Sequence, residues 1–265
     1  MAATGGFSVI IIGDEIIRGK RPDKHFAKTL ELLSARGLTL DVVTYVGDNP
    51  TRLTDVLRHS LSTDDVVFSF GGIGITPDDR TRQCAADAAG LPLEVHSEAE
   101  RVLRARFAEM KRDVTDELLQ FGAFPQGSRV IPNPVNRIPG FSFHDHHFVP
   151  GFPQMAWPMI EWVLETYYRD RFHRKPEAEK SVFVWGGNEG TLLPLMKRLE
   201  QDYAGLLVFS LPSFGDDTTP SHVELGVRGD PKQVKSAFVD MCNEVLLLGF
   251  TYSADKKNPS HKTGA

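Results

Sequence analysis

With 265 residues, 41% hydrophobic and 25% charged, the chain has the make-up of a soluble globular protein and the length of one large domain plus a small one. A formal net charge of −5 and a pI near 6.0 give no global basic field, so nucleic acid is not an expected partner. Cys84 and Cys242, the two cysteines, stand far apart and in no C-x-x-C pair, which argues against a disulfide framework and for a reducing cytoplasm.

The first apolar run, Phe7–Ile12, is short and soon meets Asp14, Glu15 and Arg18, so neither a secretory signal nor a membrane contact is expected. Its continuous β-branched stretch predicts a strand buried on both faces. Asp23 then serves as a cap for a helix with Phe26, Leu30 and Leu33 inward, closed by Gly37. Residues 38–46 read as a second strand ending at Gly47-Asp48-Asn49-Pro50. Leu53, Val56, Leu57 and Leu61 form one face of a second helix, and Val66–Phe70 is the third strand. Strands alternating with helices of this length predict a doubly wound α/β layer with a largely parallel sheet. Ligands in such folds sit beyond the carboxyl ends of the strands. Gly13-Asp14, Gly47-Asp48 and the stretch from Gly71 to Asp79 all fall there.

A charged helix over 98–110 reads as an excursion, with Val102, Leu103 and Phe107 inward. Short strands follow at 129–131 and 141–143, then His147-Phe148-Val149 and a helix carrying Met159, Trp162, Val163 and Tyr167 inward. The polar, Pro176-containing stretch 173–180 is the expected linker. Beyond it the order is strand (181–185), helix (189–203), strands (206–211 and 222–227), helix (Pro231–Leu247) and a last strand near Phe250. That suits a small ferredoxin-like α+β module. The expected domains are therefore 1–175 and 176–252, with 253–265 as a disordered tail.

The chemistry concentrates in Gly71-Gly72-Ile73-Gly74-Ile75-Thr76-Pro77-Asp78-Asp79-Arg80-Thr81. A strand runs into a glycine loop and then a helix start, a geometry that offers free N–H groups and a positive dipole to an anion. Two carboxylates beside such a cradle would repel a phosphate unless a cation intervenes, so metal-assisted phosphate chemistry is the reading that reconciles them. His144-Asp145-His146-His147 invites a zinc reading, but a polar hairpin tip is the commoner explanation and no further ligand pair is evident.

The same stretch resembles the central motif of the molybdopterin-binding, MoaB/MogA-like proteins of the molybdenum-cofactor biosynthesis fold. The ordered set of Gly13-Asp14-Glu15-Ile16-Ile17-Arg18-Gly19, Val46-Gly47-Asp48, Asn133-Pro134-Val135, Pro139-Gly140-Phe141 and Pro150-Gly151-Phe152-Pro153-Gln154-Met155 resembles one branch of it, the N-terminal domain of CinA. Residues from about 7 to 250 share the likeness, the second module included. The resemblance implies binding of a small-molecule nucleotide or pterin at the strand ends. It also implies hydrolysis of a dinucleotide pyrophosphate such as ADP-ribose or FAD with a divalent metal (Mg, Mn or Co), in a homo-oligomer. Its alternatives are molybdopterin as ligand, with binding or nucleotidyl transfer, and a non-catalytic ligand-binding domain. The nicotinamide-nucleotide deamidase domain of full-length CinA is expected to be missing.

Under this resemblance Asp79, Asp48 and Asp14 are the catalytic candidates, and Asp79, Asp78 and Asp48 the metal ligands. Gly13, Gly71, Gly72, Ile73, Gly74, Thr76, Asn133, Pro134, Gly151, Phe152 and Pro153 are expected to bind substrate. Helix capping is the competing role for Asp79 and Asp48. Three positions depart from the family pattern: Ile75 stands for the usual Pro, Pro77 for His, and Asn136-Arg137-Ile138 for a smaller stretch. Arg137 could read a phosphate or simply fill the space.

Overall fold

The structure, a computed structural model, describes residues 5–174, 177–216 and 219–256. The chain divides into two compact units, Met1–Arg174 and Lys175–Ala265. The first runs β1 (Phe7–Ile12), α1 (Asp14–Ile17), α2 (His25–Ser34), β2 (Leu40–Val46), α3 (Pro50–Leu61), β3 (Val66–Phe70) and α4 (Thr81–Ala89). An excursion of β4 (Leu93–Val95), α5 (Ser97–Glu109), α6 (Asp116–Leu119) and β5 (Ala123–Pro125) follows. The unit ends with β6 (Arg129–Ile131), β7 (Gly140–Phe143), β8 (His146–Val149) and α7 (Pro153–Tyr167).

Six strands form the main sheet in the order β2-β1-β3-β8-β7-β6. The pairs β1–β2, β1–β3 and β3–β8 are parallel, while β7 and β6 extend the sheet antiparallel. The chain is therefore a mixed α/β protein with a mostly parallel sheet. β1 explains the layering. Phe7, Val9 and Ile11 join one core with residues of α2 and α7, while Ile10 and Ile12 join the other with α3 and α4. A strand covered on both faces needs apolar side chains, and the run supplies them at every step but Ser8, whose hydroxyl donates to Asp65 at 2.7 Å.

Two local expectations change. Asp23 does hold the start of α2, accepting from the N–H groups of His25 and Phe26 at 2.8 and 3.1 Å. The buried face, however, is His25, Thr29, Leu32 and Leu33, and Phe26 and Leu30 are 38% and 37% exposed. His25 sets this rotation: its ring stacks on Phe70 with centroids 4.4 Å apart, and Nε2 bonds the Gly151 carbonyl at 3.1 Å. At α3 the cap is Asn49, which accepts from the Arg52 N–H at 3.1 Å, so Asp48 is free of that role.

The histidines of the β7–β8 hairpin serve the sheet. His144 takes the turn at φ 51°. His146 Nε2 bonds the Ser60 hydroxyl at 2.8 Å. His147 bridges Ser142 and Tyr168 at 2.8 and 2.7 Å, and the Tyr168 hydroxyl donates to Asp145 at 2.7 Å. Three of the four nitrogens that a zinc reading would need on these two rings are thus engaged by hydroxyls.

The second unit runs β9 (Ala178–Trp185), α8 (Glu189–Asp202), β10 (Leu207–Ser213), β11 (His222–Gly229), α9 (Pro231–Leu247) and β12 (Thr251–Ser253). Its sheet is antiparallel throughout in the order β10-β11-β9-β12, which is the ferredoxin-like arrangement. Val182, Val184, Val223 and Leu225 pack there against Leu195 and Leu199 of α8 and Met241 of α9. Of the expected tail, Ser253 belongs to β12 and accepts from the Trp185 indole at 2.9 Å, while 257–265 lie outside the described residues. Among the described residues no helix is long and apolar enough to cross a membrane.

Burial lowers the His146 pKa from 6.5 to about 4 and that of His147 well below 6.5. The fold thus favours the neutral rings, and the unfolded chain takes up protons first as pH falls below 6.5. Stability present above that pH is lost on the way to pH 4, by about 3 kcal/mol for His146 at ~1.4 kcal/mol per pH unit. A His146→Gln protein is expected to show a shallower loss of thermal midpoint between pH 7 and 4.5 than the parent. Parallel profiles would contradict this account.

Candidate functional site

Four connections leave the carboxyl ends of the four parallel strands, and they meet in one cavity. Gly13 and Glu15 come after β1, Asp48 after β2, Gly71, Gly72, Asp78 and Asp79 after β3, and Gly151 and Phe152 after β8. Ile12 and Arg21 complete the lining, and the cavity measures about 140 Å³. β1 lies between β2 and β3, so this is the point where successive connections turn to opposite sides, the usual ligand crevice of an open α/β sheet.

The glycine loop owes its shape to close approach. Gly71 and Gly72 have φ of 104° and 68°. A Cβ on Gly71 would run into the Ile12 carbonyl, and one on Gly72 into the Thr81 hydroxyl. Thr81 instead locks the loop to the start of α4, its hydroxyl donating to Gly71 O and its N–H to Gly72 O, each at 3.0 Å.

Asp14 and Asp48 clasp the first two turns together. The Asp14 N–H donates to Asp48 Oδ2 at 2.9 Å, and the Asp48 N–H to Asp14 Oδ1 at 3.2 Å. Asp14 Oδ2 is taken by Arg18 at 2.8 Å, and Asp14 does not line the cavity. Burial pushes the Asp48 pKa up; the Asp14 N–H opposes this, while the charges of Asp14, Glu15 and Asp78 add to it. Asp78 is held low, first by its hydrogen bond with Thr76 and then by its own N–H. Asp79 makes no side-chain cap on α4. Its Oδ2 accepts from the Thr76 N–H at 3.0 Å and from the Thr76 hydroxyl, closing a turn above the glycine loop.

The other candidates sit elsewhere. Ile73 is buried in the core beside α3 and α4. Gly74 is near the cavity without lining it, and a side chain there would run into the Asp79 carboxylate. Thr76 is occupied by Asp79, which takes both its N–H and its hydroxyl. Asn133 is buried and ties its own loop, donating to Asn136 and Ile138 and accepting from the Val135 N–H. Pro134 is exposed away from the cavity lining, and Pro153 opens α7. Arg137 pairs with Glu109 at 2.5 Å.

Three lining or supporting residues were not singled out by sequence. Glu15 had a signal, since it sits in the first glycine-acid turn. Arg21 returns to the cavity because Gly19, at φ 68°, reverses the chain after α1. Arg82 lies behind the loop and is 2% exposed. Its guanidinium donates to the carbonyls of Gly74 and Gln120, and burial lowers its pKa to about 10 against the field of Asp79. Nothing in a helical sequence pattern marks a buried arginine of this kind.

A family model described as a probable molybdopterin binding domain matches residues 8–170. The chain belongs to that family. A protein of Pyrobaculum arsenaticum is 29% identical over 212 residues, 78% of this chain and 80% of its own length. CinA-like proteins of Sulfurihydrogenibium sp. and Desulfovibrio desulfuricans are 32% and 35% identical over 76% and 58% of this chain, which spans 52% and 37% of theirs. The chain thus covers about half or less of these CinA-like relatives. The crystal structure of the protein CinA, of unknown function, from Thermoplasma acidophilum superposes with a TM-score of 0.55 at 25% identity, covering 62% of this chain and 97% of that one.

On this molybdopterin-binding domain, among the described residues, no three His, Cys, Asp or Glu side chains converge to hold a metal ion by themselves. Magnesium is commonly held by one or two carboxylates together with substrate phosphates. One or two of the lining carboxylates Asp48, Asp78 and Asp79 could hold a cation of that substrate-bridged kind.

Replacing Arg82 by Met removes the donors to two carbonyls in a buried setting. A loss of about 1–3 kcal/mol is expected, the scale for leaving a buried polar group unsatisfied. Urea titration measures it, and an unchanged midpoint would show that Arg82 does not hold the loop.

Proposed function

We propose that the first unit binds the pyrophosphate of a dinucleotide such as ADP-ribose or FAD and hydrolyses it with a divalent cation. The observation that carries this reading is the meeting of glycine backbone and carboxylates in one cavity at the strand ends. Small-molecule pockets usually enclose ~300–1,000 Å³, so about 140 Å³ suits phosphate groups and leaves base and sugar outside, along Phe152. Gly13 and Gly71 already give their N–H groups to the Val46 and Val149 carbonyls, so the phosphate oxygens are assigned to the glycine turns at Gly72 and Gly151.

Asp48, Asp78 and Asp79 would hold the cation jointly with phosphate oxygens. The cation, Mg, Mn or Co, supplies neutralisation of charge and polarisation of the phosphoryl oxygen. Asp48 lines the cavity with Asp78 and Asp79 and is the carboxylate assigned to orient the attacking water. Asp79 orients the loop through Thr76 while its second oxygen, Oδ1, has no partner in its own turn. Asp14 acts through Asp48, whose carboxylate it positions.

One observation favours a second reading. No three ligands converge in advance, which also suits a domain that binds a pterin or nucleotide without turning it over. The family's description as a probable molybdopterin binding domain makes molybdopterin the first such ligand to try.

Incubation with ADP-ribose, FAD and NAD, with and without Mg²⁺, Mn²⁺ or Co²⁺, separates the two. Hydrolysis lost in excess EDTA is expected. Full activity in EDTA would rule out the cation-dependent mechanism, and binding without turnover would favour the second reading. Asp79→Asn keeps an acceptor for the Thr76 N–H and removes the charge. It is expected to cut turnover by ~10²–10⁴ with little change in thermal midpoint. A variant that works at near the parent rate would leave Asp79 with a structural role alone.

A further inference from the structure

Arg21 is the one cation among the residues lining the cavity, beside Glu15, Asp48, Asp78 and Asp79. Its backbone is fixed: after the reversal at Gly19, the N–H groups of Lys20 and Arg21 both donate to the Glu15 carbonyl, at 2.8 and 3.1 Å. Its side chain is not. Among the described residues the guanidinium has no hydrogen bond, ion pair or ring contact, although a carboxylate is the partner a guanidinium takes most readily. Neighbouring Arg18, by contrast, is already held by Asp14 at 2.8 Å. At the same cavity Phe152 is 58% exposed, and its ring likewise has no aromatic or cationic partner. A planar cation and a bare aromatic ring, both unpartnered on one small polar cavity, are the groups that recognise phosphate oxygens and a base.

Resting on the nucleotide reading above, we propose that Arg21 is the specificity-determining residue of this cavity, selecting ligands with two linked phosphates over monophosphates. The charge balance calls for such a group. Four carboxylates against one guanidinium leave the lining at a formal −3, and one divalent cation brings it to −1. A diphosphate diester adds two negative charges. The cation neutralises the oxygens it touches, and the guanidinium takes oxygens of the other phosphate through its fork of N–H groups. A monophosphate reaches the cation and leaves Arg21 unused.

The test measures equilibrium binding of three probes in Mg²⁺: the non-hydrolysable methylene analogue of ADP-ribose, AMP and adenosine. The parent is expected to prefer the analogue to AMP. Arg21→Gln should weaken the analogue by about tenfold to a hundredfold, the scale for hydrogen bonds to a charged group. It should leave AMP and adenosine unchanged, and Arg21→Lys should restore only part, because an ammonium lacks the fork. The thermal midpoint should stay within about a degree, since the side chain is exposed and makes no hydrogen bond or ion pair among the described residues. A parent that binds the analogue while Arg21→Gln binds it equally well would overturn this inference alone. A parent that binds none of the probes would remove the nucleotide reading, and this inference with it.

Discussion

Glu15, Asp48, Asp78 and Asp79 share a cavity of about 140 Å³, and like charges in such a space are costly. The surrounding structure is arranged to hold these groups in spite of that. The Asp14 N–H opposes the rise in Asp48's pKa, Thr76 donates its N–H and hydroxyl to Asp79, and Arg82 supplies a buried positive charge behind the loop. The Asp14–Asp48 and Arg82–Gln120 contacts tie a turn at one strand end to another segment, and the Thr76–Asp79 contact closes the turn after β3 on itself. A site assembled from four separate connections is thereby kept in one shape.

The sheet order makes the assembly possible. With β1 between β2 and β3, and β8 beyond β3, four parallel strands deliver their carboxyl ends side by side. The antiparallel β7 and β6 lie outside this group and send no connection to the cavity. The β7–β8 hairpin instead buries His146 and His147 of β8 among hydroxyls, where the rings satisfy polar groups between sheet and helices.

Much of this is legible in the residues. The β-branched run of β1, the strand at Val66–Phe70 and the helix at Pro231–Leu247 were set by local pattern, because their apolar periods are unbroken. Asp48, Asp78, Asp79, Gly13, Gly71 and Gly72 could be placed together because glycine-acid pairs at successive strand ends have one place to meet in a doubly wound sheet, whereas Gly151 and Phe152 come from the resemblance carried by the block from Pro150 to Met155. The face of α2 was not legible. His25 and Thr29 share the spacing of Phe26 and Leu30, and only the tertiary contact with Phe70 and Gly151 decides between them. Asn133 and Thr76 read as ligand groups, whereas their hydrogen bonds go to neighbours two to five residues away. Arg21 and Arg82 depend on a chain reversal and on a loop approaching from residue 120, neither of which has a sequence period.

The central claim is that the turns after β1, β2, β3 and β8 act as one pyrophosphate site. Hydrogen–deuterium exchange with and without the methylene analogue of ADP-ribose and Mg²⁺ tests it most directly. Slowed exchange is expected together at residues 13–21, 47–49, 71–80 and 151–153, with the second unit unchanged. Protection confined to one of these turns, or appearing in the second unit instead, would contradict the account.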